Sequence, residues 1–141
     1  MKHHLARLLS LALLAVAVAA PLTVSAQIKS LPARENNEGQ VRVLVTPESL
    51  PKTADTWRFA VQLNTHVTPL TQDLMAVASL SDGKGAGEKP VAWEGDPPGD
   101  HHRKGVLVFK PLTPTPPAIT LDIREVGGIA DRTFTWNLSN P

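Results

Sequence analysis

Cysteine is absent from this chain of 141 residues. That absence excludes structural disulfides, a cysteine nucleophile and the acylated thiol of a lipoprotein anchor, so stability must come from an ordinary hydrophobic core. Runs of like charge are missing too: 14 Lys and Arg stand against 13 Asp and Glu, dispersed along the chain. Without such a run, binding to nucleic acid or to anionic lipid loses its usual electrostatic footprint. Nothing after Gln27 sustains a helical apolar repeat over even three turns. No G-x-S-x-G elbow, H-E-x-x-H pair or phosphate-cradling glycine loop occurs, so the residues support no enzymatic activity.

What is present begins with an export signature. Lys2, His3, His4 and Arg7 form a basic patch, and residues 8–20 follow almost without a polar side chain, interrupted only by Ser10. Such a run has the length of a signal-peptide apolar region and falls short of the ~20 residues a membrane-crossing helix requires. Pro21 breaks it, and Val24 and Ala26 place small residues at −3 and −1 of a cleavage site before Gln27. A cut after Ala20 would place Pro21 at +1, which is less favourable, and an uncleaved anchor is the alternative to processing. Residues 1–26 are therefore expected to be a signal peptide, and the mature chain to be periplasmic or secreted with no transmembrane segment. Subtracting Lys2 and Arg7 from the 14 basic residues leaves 12 against 13 acidic ones, a net charge of −1.

Residues 27–39 (QIKSLPARENNEG) are polar and aperiodic, which predicts a flexible lead-in. Over 40–141 the apolar residues recur with period two. Val41, Val43 and Val45 mark one strand, and Trp57, Phe59, Val61 and Leu63 mark the clearest one. Further strands are expected over 74–80, 91–94, 106–110, 119–126 and 134–138. Breakers separate them: Pro47 and Pro51, the glycines of 81–85, the prolines of 111–117, and Gly127-Gly128. About seven short antiparallel strands in about a hundred residues predict an immunoglobulin-like β-sandwich, here without its inter-sheet disulfide. Trp57 and Trp136 lie in phase with the apolar face of their strands and are expected in the core.

The functional candidates gather in one stretch. From Trp93 to Gly105 the chain joins two strands with far more residues than a hairpin requires, and such loops on a sandwich are where binding residues tend to lie. Trp93, Glu94 and Arg103 are candidates for contact with a ligand. Asp96, Asp100, His101 and His102 present carboxylates and imidazoles together. If His66, just past the end of the Trp57 strand, lies beside them, one loop histidine, His66 and a carboxylate could hold Cu²⁺ or Zn²⁺. Adjacent histidines on an extended chain point to opposite sides, so only one of His101 and His102 should ligate. The open alternative is an ordered loop whose histidines bond to backbone and pack on Trp93. No other cofactor is implied.

At these residues the chain resembles a group of small exported bacterial immunoglobulin-like domains to which no activity is assigned. The resemblance rests on Ala92-Trp93-Glu94-Gly95, Pro97-Pro98-Gly99, His101-His102-Arg103 and Gly105-Val106-Leu107. Leu63-Asn64-Thr65-His66 upstream, and Ile123-Arg124-Glu125-Val126-Gly127-Gly128 with Arg132-Thr133-Phe134 downstream, extend it over residues 57–138. In size and address the chain is also similar to CopC-like periplasmic copper carriers, at the level of fold alone. Those carriers resemble a histidine-brace arrangement that starts from an N-terminal histidine, where this chain has Gln27, and Met75 is the sole methionine after processing. Three readings follow: a non-catalytic exported module binding a protein or small ligand, a periplasmic copper or zinc protein, and an accessory subunit docking on a membrane-associated complex by an edge strand.

Mass spectrometry of the exported protein should find Gln27, free or cyclised to pyroglutamate, at its N-terminus. Met1 retained in a membrane fraction would refute the export reading.

Overall fold

A computed structural model describes residues 30–139, and the signal peptide expected over 1–26 lies outside the described residues. The described residues form eight strands and one helical turn: β1 Arg34–Glu38, β2 Val41–Ser49, β3 Trp57–Thr65, α1 Leu74–Val77, β4 Ala78–Ser81, β5 Ala92–Gly95, β6 His102–Phe109, β7 Ala118–Val126 and β8 Ile129–Asn137. They make two antiparallel sheets, one of five strands in the order β1-β2-β3-β6-β5 and one of three in the order β4-β7-β8. The fold is all-β and sandwich-like, as period-two patterning requires when each strand buries one face. No helix among the described residues is long and apolar enough to cross a membrane.

The core is the set of inward positions on both sheets. Val41, Val43 and Val45 of β2 and Trp57, Phe59, Val61 and Leu63 of β3 meet Ile119, Leu121 and Ile123 of β7 and Phe134 and Trp136 of β8. Phe59 is the aromatic hub, 5.8 Å from Phe109 edge-on and 5.8 Å from Trp136 at a tilt. Both core tryptophans satisfy their N–H on loop carbonyls, Trp57 on Pro51 at 3.2 Å and Trp136 on Pro32 at 2.7 Å. Burying the indole therefore leaves no orphaned donor.

Two expectations are corrected. The lead-in expected over 27–39 is ordered over 34–38, where β1 pairs with β2 from Arg34↔Val45 to Glu38↔Val41. This strand lies on the sheet edge with most side chains in solvent, so no apolar alternation marks it. The strand expected over 74–80 begins as a turn of helix: Asp73 caps it by accepting the Met75 N–H at 2.9 Å. Only 78–81 pair with β7.

One end of the sandwich is closed by two hairpin turns lying against each other. Gly39 and Gln40 join β1 to β2, and Gly127 and Gly128 join β7 to β8; all four have positive φ, between 55° and 74°, as two-residue type I′ turns require. A side chain on Gly127 would run into the Val41 side chain, whereas Gly128 faces open space. Arg132, fully buried on β8, ties the turns together. Its Nη2 donates to Glu38 O and Val126 O, each at 2.9 Å, and its Nη1 to Val41 O at 3.1 Å and to Asn36 Oδ1. Burial pulls the guanidinium below its ordinary pKa while the Glu38 charge opposes that shift. Its charge is solvated by carbonyl dipoles of both sheets in place of water.

Removing this group strands several buried carbonyls at once. Arg132→Met is expected to cost about 3 kcal/mol or more in urea unfolding. Gly127→Ala should cost about 1–3 kcal/mol from its strained φ and the Val41 clash, while Gly128→Asn stays within about 0.5 kcal/mol. Equal effects at Gly127 and Gly128 would show that the turns do not pack together.

Candidate functional site

The stretch expected as a long loop is largely a β-hairpin. β5 and β6 pair from Ala92↔Val108 to Gly95↔Gly105, and only residues 96–101 lie outside strands. At Gly105 a Cβ would stand 2.6 Å from the Gly95 Cα and 2.7 Å from the Trp93 ring. The indole lies over a floor that only hydrogen can complete. Its N–H donates to Asp96 O at 2.9 Å, at the point where the chain leaves β5.

Arg103 explains why residues 96–101 are ordered. Leu63 is its partner across the β3–β6 ladder, and Leu63 faces the core, so Arg103 points inward and is only 2% exposed. Its guanidinium lies 5.7 Å from the centre of the Trp93 ring. Nη1 donates to Leu70 O at 3.0 Å and Gln72 O at 2.8 Å, and Nη2 reaches Asp96 O at 3.4 Å. Burial pulls its pKa below the ordinary arginine value, with Asp96 and Asp73 opposing the shift. Segment 96–101 is thereby joined to segment 66–73, and backbone bonds add to the join: Gly99 N to Leu70 O at 3.0 Å, Leu70 N to Asp100 O at 2.9 Å and Thr65 N to His101 O at 2.9 Å. Arg103 is a structural bolt, buried and committed to main-chain carbonyls.

The remaining candidates divide. Asp96 Oδ2 accepts the Lys104 N–H at 2.9 Å, and Asp100 Oδ1 accepts the His101 N–H at 2.7 Å, so each carboxylate folds back on its own segment. His66 and His102 come together with ring centres 6.0 Å apart and planes at 79°. His102 Nδ1 lies 2.9 Å from Asn64 Oδ1, its partner across the strand pair. Among the described residues no group of three or more His, Asp, Glu or Cys is placed to hold a metal ion, so the expected set of two imidazoles and a carboxylate does not assemble. Glu94 is turned away from the turn: both its oxygens face Arg58, at 2.6 and 3.3 Å.

Two features escaped sequence reasoning. Asn64 orients His102, and only the β3–β6 register reveals that they are opposite. On the outer face of the larger sheet, an open groove of about 430 Å³ runs over Ala60 and Val106, flanked by Glu48, Glu94, Asp96 and Lys104. Its smooth floor comes from small residues, which carry no motif. No family model, curated protein or solved structure matches this chain.

The Arg58 hydrogen bond, then its charge, holds the Glu94 carboxyl below its usual range. A carboxyl with a lowered folded pKa stabilises the fold above its unfolded value near 4.3. That contribution disappears as pH falls through the folded value. An NMR titration should show Glu94 deprotonating below Glu94-like free carboxyls, with the shift abolished in Arg58→Gln. An unchanged titration in that variant would break the assignment.

Proposed function

We propose that this chain is an exported, non-catalytic interaction module of immunoglobulin-like type, periplasmic or secreted, whose partner is a protein or small ligand met at one end of the sandwich. Strand order supports the fold type. Taking β2 to β8 as strands A to G, the sheets read A-B-E-D and C-F-G, the constant-type arrangement, with β1 as an extra strand ahead of A.

The observation that carries the binding reading is the join between segments 66–73 and 96–101. Both emerge at the end where β3 finishes and β6 begins, and Arg103 with two backbone bonds makes them one surface. His66, Val67, Pro97, Pro98, Asp100 and His101 stand exposed on it. Exposed side chains on a frame fixed in advance lose little freedom when a partner docks, which favours affinity. Docking by a sheet edge has less to work with on the larger sheet, because β5 spans four residues and β1 is strongly polar.

A photo-crosslinking residue placed at Pro98 or His101 in the exporting cell should give the same discrete adduct. One placed at Thr135, on the outer face of the smaller sheet, should give none. Adducts from Thr135 alone, or equally from all three positions, would refute the assignment of the binding end.

A further inference from the structure

We infer that His66 and His102 form a two-imidazole site for Cu²⁺, independent of whether the same end docks a protein. His102 opens β6 on the solvent side of the larger sheet, and His66 follows β3 by one residue. Both are exposed, so an ion reaches them without opening the fold. Asn64 sets the chemistry of His102. Its amide oxygen, 2.9 Å from Nδ1, can only accept, so Nδ1 carries the proton and Nε2 keeps its lone pair. An outer partner of this kind fixes ring orientation and raises the basicity of the ligating nitrogen.

The number and type of donors favour one ion. An ion bonded ~2 Å from a ring nitrogen sits ~3 Å from that ring's centre. Ring centres 6.0 Å apart are therefore close enough for one ion to bond to both once the exposed side chains turn toward it. Two imidazoles with open positions for water suit Cu²⁺, whereas structural Zn²⁺ prefers a closed set of four protein ligands. Copper also binds nitrogen donors more strongly than the other divalent first-row ions, which matters where only two protein ligands are offered. Water would supply the other ligands, since Asp96 and Asp100 are turned to backbone N–H groups. His101 lies before the strand begins and is not one of the two rings brought together.

The test is titration of the exported protein with CuSO₄, followed by calorimetry and by electron paramagnetic resonance. One Cu²⁺ per chain with two coordinated nitrogens is expected. His66→Ala and His102→Ala should each abolish that signal, and the double variant gives the background from the chain terminus. Asn64→Ala should weaken binding about tenfold, and His101→Ala should leave it unchanged. Circular dichroism of each variant should match the parent, because the rings are exposed. Binding that survives His66→Ala, falls equally with His101→Ala, or is tighter for ZnSO₄ than for CuSO₄ would overturn the site.

Discussion

The guanidinium of Arg132 is the contact on which the closure of the sandwich depends. A planar fork with five donors can serve carbonyls of two different hairpins from one point, which a lysine ammonium on a flexible stem cannot do with the same fixed geometry. Its acceptors lie in β1 and β2 on one sheet and in β7 on the other. Both sheets are therefore registered against the same side chain. The arrangement takes the place of a covalent link between sheets in a chain without cysteine.

Arg103 applies the same chemistry to a different end of the problem. Arg132 fastens sheet to sheet, while Arg103 fastens a connection to the frame, with an aromatic face beneath it and main-chain oxygens around it. Its Nε and the Gln72 Oε1 are the buried side-chain atoms left without a partner among the described residues. The ordered surface at 96–101 is thus held from beneath by a buried group. A reading of that surface as a site has to separate the side chains that hold it from those that it displays.

Most of the frame was legible from period-two patterning, because strands that bury one face must alternate. β3 shows this best, with Trp57, Phe59, Val61 and Leu63 all inward. The exceptions share a cause: residue type stopped reporting burial. β1 exposes nearly all of its five residues and so has no apolar phase. β6 starts at His102 rather than at Val106, because the inward position in its polar half is occupied by an arginine. In α1 the apolar Leu74-Met75-Ala76-Val77 fits strand or helix equally, and the Asp73 cap decides. Of the residues expected around a metal, His66 and His102 lie near one another, with ring centres 6.0 Å apart. The carboxylates do not join, since short Asp side chains find backbone partners first.

The three connections at the loop-bearing end differ in how much slack they hold. Gly127-Gly128 has none: it is a two-residue turn, and Gly127 is wedged against Val41. It is a hinge pin, and lengthening it would prise the turn from its neighbour. Room for change at this end therefore lies in segments 66–73 and 96–101. A library built on the domain would randomise those positions and leave the third connection as it stands.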